Sequence, residues 1–531
     1  MRRIFLFISI TLIIVEVWFY FSFPVLLWSL VLVGPFLLLG FQDYFQKKST
    51  IRRNFPILGR FRYLFESIRP EINQYFVESN TDGKPFSREK RSVVYQRSKL
   101  QLDTLPFGTQ RDVYASGYEW VNHSLAPQHL DPEHLRITIG GPRCTQPYTA
   151  SILNISAMSF GAISKNAIMA LSGGAKDGHF ALNTGEGGIT KYHLEPGADI
   201  IWQIGTGYFG CRREDGTFCE TTFARKATHH NVKMIELKLS QGAKPGHGGI
   251  LPGRKVDLEI SQIRDVPLGK PVISPPAHST FSTPVQMMQF IQKLRELSGG
   301  KPVGIKLCLG KQREFMALCK AMHKTGITPD YIAVDGGEGG TGAAPLEFSN
   351  HVGTPTTESL IFIHNALVGF GLRGMIKIIA AGKMTSAFGM IKRLALGADA
   401  IYAARAFMLS LGCIQALRCN TNNCPTGVTT QDPQLVAGLV VSDKRTRVMM
   451  YHKETMKGMA ELIGAMGLKS HEGLSPHHVI RRVSNNEVKH YGQLYEYLKP
   501  HQLLTGNIPQ SFSLAMKCSH PDSFANGDEM N

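Results

Sequence analysis

Apolar and polar positions alternate on three different scales along this chain. Ile4 to Phe23 is apolar apart from Glu16, and Val25 to Phe41 is apolar throughout, with Pro24 between them and Pro35 inside the second run. At 1.5 Å per residue each run reaches roughly 25–30 Å, the thickness of a bilayer's hydrocarbon core. Arg2 and Arg3 precede the first run, and Lys47, Lys48, Arg52 and Arg53 come after the second. Both ends on one basic side predict a transmembrane two-helix hairpin over residues 1–45, with one tilted helix plus an interfacial segment as the other reading. Glu16 is a candidate intramembrane carboxylate or a residue paired within the hairpin. The positive-inside pattern predicts an inner-membrane protein whose catalytic part faces the cytoplasm.

Residues 46–145 are mixed and polar, and read as an N-terminal extension packing on the domain C-terminal to it. From Ser151 onward, short apolar runs alternate with helix-length stretches. The runs are 152–158, 180–183, 200–204, 234–239, 303–307, 331–334, 376–380 and 400–404. Eight such runs predict the parallel strands of a (β/α)8 TIM barrel over 146–440, in an α/β chain, with a doubly wound sheet as the alternative. No G-x-G-x-x-G follows the first run, so the dinucleotide fold lacks its marker. The long polar gap between the fourth and fifth runs predicts an insert over the active face. Residues 441–531 read as a C-terminal helical extension and tail.

In such a barrel the chemistry sits at the C-terminal strand ends. Those ends carry Met158 and Ser159, Glu186 between glycines, Gln203, Lys238, Lys306, Asp335 with Gly337 and Gly340, Gly382, and Ala404. Glycine repeated at strand ends lets backbone approach a ligand closely. Loops after the last two strands are the usual phosphate cradle of a barrel. A flat, phosphate-bearing cofactor suits this pattern, with FMN lying across the strand ends and its phosphate at the Gly382 and Ala404 backbones. Lys238 and Lys306, inward-facing in apolar strands, would stabilise the negative charge of reduced flavin. Each residue also has a plainer reading, Glu186 as a turn carboxylate, Gln203 and Asp335 as packing hydrogen-bonders, His247 as a loop histidine.

Directly after the eighth run lie Cys413, Cys419 and Cys424, spaced C-x5-C-x4-C-P. A zinc site wants a fourth Cys or His, which this window lacks, and disulfides cannot pair three thiols. Three soft sulfur ligands point instead to an iron–sulfur cluster. The other six cysteines are scattered, as free thiols in a reducing compartment would be. Net charge is +17, which favours an anionic membrane surface. No nucleic-acid module accompanies that charge, so nucleic acid is not an expected partner.

Several long motifs resemble the synthase domain of glutamate synthase large chains. They are Ile155 to Ser164, Asn183-Thr-Gly-Glu-Gly-Gly188, Ser240 to Gly246, Gly339-Gly-Thr-Gly-Ala, and the cysteine stretch through Gln431-Asp-Pro. The resemblance covers roughly residues 100–480, and the membrane-anchored, stand-alone variants of the family are the nearest likeness. It implies FMN and a 3Fe–4S cluster held by Cys413, Cys419 and Cys424. It also implies reduction of 2-iminoglutarate, formed from 2-oxoglutarate and ammonia, with Glu186, Lys244 and Arg264 binding the oxo acid. A separate electron donor, a ferredoxin-like protein or a reductase subunit, is implied as well. The glutamine-hydrolysing domain of full-length chains is expected to be absent, as is their C-terminal β-helix. Four positions depart from the family pattern. Trp202 replaces Lys, Tyr208 replaces Arg, and His247 and Ile250 replace Glu and Gln. These are expected to surround the acceptor. The alternative functions are an FMN and iron–sulfur electron-transfer subunit, or a glutamate-forming enzyme that uses another amine.

Overall fold

The computed structural model describes residues 1–101, 104–264 and 266–525, leaving aside the side chains of Pro24 and Leu26. The end of the expected tail, 526–531, lies outside the described residues. The chain divides into two compact units, Met1–Arg88 and Glu89–Asn531.

In the first unit, helices Arg2–Ser22 and Leu27–Phe45 are long and apolar enough to cross a membrane. They fold back on one another. The Arg2 guanidinium lies 4.1 Å from the Tyr44 ring centroid, and the Ser29 hydroxyl donates to Glu16 at 2.7 Å. Glu16 is therefore paired within the hairpin.

In the second unit, eight parallel strands close into a barrel. They are β1 (Leu153–Ile155), β2 (Ala181–Asn183), β3 (Asp199–Ile204), β4 (Val232–Lys238), β5 (Val303–Leu307), β6 (Tyr331–Asp335), β7 (Lys377–Ala381) and β8 (Ala400–Ala403). β8 closes on β1 with Ile401 opposite Leu153. Every residue of β5 and β6 is buried, as strands covered on both faces require. The helices between strands start and stop on local signals. Ser164 and Thr283 cap helices Lys165–Asp177 and Pro284–Leu297 through their side-chain oxygens, and Gly326, at φ 63°, ends helix Gln312–Thr325.

The expected insert between β4 and β5 forms a short hairpin, Ile250–Leu251 with Val272–Ile273, and helix Leu258–Arg264. The C-terminal extension is not wholly helical. After the helix Val441–Ala465, the strands Val479–Ser484 and Glu487–His490 join Glu119–Val121 in a three-stranded sheet.

Candidate active site

At the C-terminal mouth of the barrel the loops after β1 to β4 pack backbone against backbone. Gly185, at φ 65°, leaves only 2.6 Å between the place of a Cβ and the Ser159 nitrogen, so no side chain fits there. That contact sets the next residue, Glu186, over the strand ends. A Cβ on Gly205 or Gly249 would come within 2.7 or 2.5 Å of the Glu186 carboxylate. Three loops thus enclose one carboxylate.

Three cations surround it. Lys238 Nζ lies 3.0 Å from Glu186 Oε1. Lys244, 4% exposed, donates to the Ala343 carbonyl at 3.1 Å. Arg264, equally buried, donates through Nη2 to the Phe160 carbonyl at 2.6 Å, and its guanidinium sits 5.2 Å from the Phe209 ring centroid. Arg264 Nε has no hydrogen-bond partner among the described residues. Burial opposes ionisation of Glu186, but Lys238, Lys244 and Arg264 outweigh it and hold the carboxyl below its ordinary value. Burial lowers Lys244 to about 8 against the opposing pull of Glu186, and lowers Arg264 to about 10. One carboxylate among three cations leaves a net positive pocket with a spare buried donor. Its complement is a small carboxylate ligand.

Below this pocket, Lys238 and Lys306 stand directly opposite one another on β4 and β5. Both are buried. Lys306 Nζ lies 3.7 Å from Asp335 Oδ2, and Asp335 accepts from the Gly242 nitrogen at 3.0 Å. Gln203 turns its amide to Glu236 at 2.7 Å, and Asn183 donates to the same oxygen at 2.9 Å. Glu236, fully buried inside the barrel, was not among the expected residues. Burial, then the charge of Glu236, raises the Tyr402 phenol well above its ordinary value. Met158 and Ser159 follow β1, with Met158 8% exposed.

Around the far strand ends, the loop after β6 turns through Gly337 and Gly340. A Cβ on Gly340 would meet the Arg405 guanidinium at 2.6 Å. One on Gly382, at φ 132°, would meet Thr356 Oγ1 at 2.3 Å. Ala404 follows β8 at the N-cap of helix Arg405–Ser410, and Arg405 Nη2 donates to the Glu338 carbonyl at 2.9 Å. Paired lysines under the strand ends, side-chain-free turns and a nearby guanidinium fit a flat, anionic, phosphate-bearing group such as FMN. Glu338 is an additional member of this corner. Its carboxylate accepts from the Thr356 nitrogen at 2.9 Å.

The cysteine loop follows β8 and helix Arg405–Ser410. Cys413, Cys419 and Cys424 lie near enough to influence one another's ionisation. Burial pushes Cys413 up to about 12 and also raises Cys419. For Cys424, burial is outweighed by hydrogen bonds from Thr426 and Thr429, which lower it. Among the described residues no three His, Cys, Asp or Glu side chains gather to hold a single metal ion. Lys255, 2% exposed, is held beside Cys419 and Cys424 and donates to the Thr429 carbonyl at 2.6 Å. Three thiols with one buried ammonium alongside suit a soft, anionic cluster. The Tyr95 hydroxyl supports the loop from the N-terminal extension, donating to the Cys413 carbonyl at 2.7 Å.

A strap of backbone, Phe160–Ser164, joins the two centres. Arg264 takes the Phe160 carbonyl from the acceptor side. From the cysteine side, Gln431 Nε2 takes the Gly161 and Ile163 carbonyls at 3.2 and 3.1 Å, and Lys255 takes that of Ala162 at 3.2 Å. The Ser164 hydroxyl donates to the Gly427 carbonyl at 2.7 Å.

The four departures from the family pattern do not all surround the acceptor. Trp202, fully buried, stacks on Phe223 of helix Glu220–Ala227 with ring centroids 5.1 Å apart. Alternation along β3 turns Gln203 inward and Trp202 outward, into the helix layer. Tyr208 bonds to Thr280 and His278, and His278 reaches the Lys238 carbonyl at 2.8 Å. Burial lowers His278 to about 4, so it stays neutral. His247 does line the cleft beside Glu186, Lys238 and Gln241, while Ile250 lies in the insert's hairpin.

The family pattern described as "conserved region in glutamate synthase" matches residues 127–469. The chain is 38% identical over 491 residues to the glutamate synthase large subunit-like protein YerD of Bacillus subtilis, covering 84% of this chain and 92% of that one. It is 38% identical over 322 residues to the archaeal glutamate synthase (NADPH) of Methanocaldococcus jannaschii, covering 60% of each. The match therefore spans less than two thirds of that archaeal relative. Among solved structures, a mandelate oxidase superposes with a TM-score of 0.41 at 14% identity, covering 81% of this chain and 99% of that one. A likeness that distant carries no argument about chemistry. With its closed eight-stranded barrel, the chain belongs to the glutamate synthase family of oxidoreductases.

Proposed function

We propose that this chain is a membrane-anchored, glutamate-synthase-like enzyme that reduces the imine of a 2-oxo acid to an amino acid. 2-Oxoglutarate and ammonia are the first candidates. The observation that carries the reading is the single ionised carboxylate, Glu186, set among Lys238, Lys244 and Arg264 at the mouth of the barrel. Lys244 and Arg264 hold the acceptor's carboxylate, with the unpartnered Arg264 Nε as one donor. Glu186, kept ionised, accepts from the imine N–H and favours its protonated, more electrophilic form. The segment between β4 and β5 brings the buried Lys244 and Arg264 to this pocket.

Met158, Ser159, Gln203, Lys306, Asp335, Gly337, Gly340, Gly382 and Ala404 would hold FMN, and Cys413, Cys419 and Cys424 a 3Fe–4S cluster. When bound, these groups supply the hydride and the electrons that feed it. Lys238 and Lys306 place positive charge where reduction adds negative charge. An external donor, a ferredoxin-like carrier or a reductase subunit, delivers electrons on the cysteine side. The apolar hairpin seats the enzyme in the inner membrane with its barrel in the cytoplasm.

The test is stopped-flow oxidation of the chemically reduced protein. Mixing with 2-oxoglutarate plus ammonia is expected to accelerate flavin oxidation over buffer. No acceleration removes the synthase reading, and acceleration by methylamine but not ammonia assigns another amine.

A further inference from the structure

The helix Leu58–Ile72 follows the apolar hairpin. Successive residues on a helix advance by about 100°. On that spacing Leu58, Phe61, Leu64, Phe65, Ile68 and Ile72 fall within about 120° of one another. All six are exposed, between 37% for Ile68 and 59% for Phe65. Arg62 and Arg69 border this stripe on one side, and Arg60 and Glu71 on the other; Arg62 Nε lies 3.0 Å from Glu66 Oε1 on the exposed face. An aligned row of six large apolar side chains left open to solvent is not the surface of a helix that has finished packing.

The start of the helix is fixed to the end of the second apolar helix. Asp43, fully buried, accepts from Arg60 Nε at 2.7 Å and from the Ile57 nitrogen at 3.2 Å, and lies 3.8 Å from Arg52 Nη1. Gly59 presses against the Arg52 backbone, 2.9 Å from the place of a Cβ to the Arg52 Cα. The joint holds the stripe next to the point where the hairpin ends. Lys47, Lys48, Arg52 and Arg53 belong to the same turn of chain.

We propose that this helix lies in the plane of the membrane surface, as a third lipid contact beside the two apolar helices. Its apolar stripe enters the acyl boundary, and Arg62 and Arg69 along one edge meet anionic phosphate headgroups. The bilayer is the occupant favoured here for two reasons. The stripe is continuous with the hairpin through Asp43, and Arg62 and Arg69 along one of its edges complement anionic lipid. The proposal rests on the membrane anchoring of the proposed function.

The test uses the full chain in vesicles of phosphatidylethanolamine and phosphatidylglycerol. The photoreactive residue p-benzoylphenylalanine is placed singly at Phe61, Phe65, Ser67 or Ile14, and adducts are identified by mass spectrometry. Probes at Phe61 and Phe65 are expected to give lipid adducts several-fold above Ser67. Adducts to a second copy of the chain or to another protein at Phe65 overturn the proposal in favour of a protein interface. Lipid adducts at Ile14 but not at Phe61 or Phe65 overturn it while leaving the hairpin anchored. No lipid adduct at Ile14 overturns the anchoring itself. Arg62→Gln with Arg69→Gln is expected to lower the phosphatidylglycerol share of the Phe65 adducts several-fold, and an unchanged share overturns the arginine role.

Discussion

Lys244 offers the sharpest test of the acceptor pocket, because its charge changes within reach of ordinary assays. Burial and the neighbouring Lys238 lower it, Glu186 pulls it back, and the balance leaves it at about 8. At pH 7 about ten ammonium forms exist for each neutral amine, and at pH 9 the ratio is inverted. If the ammonium holds the acceptor's carboxylate, KM for the 2-oxo acid is flat below pH 8. Above it, KM rises about tenfold per pH unit. Lys244→Ala removes one partner of a buried charge pair, worth about 2–5 kcal/mol. That corresponds to a rise in KM of roughly thirty- to several-thousand-fold at pH 7. Lys244→Arg keeps a charge that does not titrate in this range, so its KM stays flat through pH 8. The assay is acceptor saturation across this range at constant free ammonia, with FMN content measured for each variant. A step near pH 8 that survives in the Arg or Ala variant refutes the assignment. It would point to another buried lysine with the same value, Lys255 or Lys301.

Four further outcomes are expected. Cys419→Ser abolishes the cluster's electron paramagnetic resonance signal and leaves FMN bound; a persistent signal removes Cys419 as a ligand. Gly382→Ala, whose Cβ would lie 2.3 Å from Thr356 Oγ1 at φ 132°, loses FMN while retaining its circular dichroism spectrum; full flavin content contradicts the cradle. Trp202→Ala costs about 3–5 kcal/mol in chemical unfolding with the acceptor KM unchanged, and a shifted KM would return residue 202 to the pocket. Buried His452 is lowered to about 3, chiefly by burial. The unfolded chain therefore takes up a proton near pH 6.5 that the folded chain refuses, and stability falls as pH drops from 6.5 towards 3. The loss is at most about 1.4 kcal/mol per pH unit. His452→Gln should flatten the thermal midpoint against pH, and an unaltered slope assigns the acid sensitivity elsewhere.

The barrel is legible in the sequence because a strand buried on both faces is apolar along nearly its whole length, as in Val303–Leu307 apart from Lys306 and Tyr331–Asp335 apart from its terminal Asp335. Glu186 and Lys238 are legible because a charged residue at the end of such a strand, or between glycines, has no packing role that explains it. Glu236 sits in the same kind of apolar strand, yet its place inside the run, short of the strand end, hides it among louder neighbours. Tyr95, Lys255 and His278 leave no local trace. Their partners, Cys413, Thr429 and Lys238, are 318, 174 and 40 residues away. A polar side chain that serves a distant carbonyl looks like any surface residue until the chain folds. Trp202 is misplaced at the acceptor for a simpler reason. Alternation turns Gln203 inward, so its neighbour has to face the helices.

The strap between the two centres also sets a timetable for the growing chain. Phe160 meets Arg264 after 104 residues, whereas Gly161 waits 270 residues for Gln431. At about 5–20 residues per second, the second wait lasts roughly a quarter of a minute to a minute. The acceptor half of the strap can therefore be sealed while the ribosome is still synthesising the strands of the second half-barrel. On the cysteine half, Lys255 reaches Ala162 after 93 residues, but Gly161 and Ile163 stay unbonded to Gln431 until that residue has emerged, after the last barrel strand. If Cys413, Cys419 and Cys424 hold the proposed cluster, iron and sulfide would reach a chain in which the contact of Phe160 with Arg264 has had time to form.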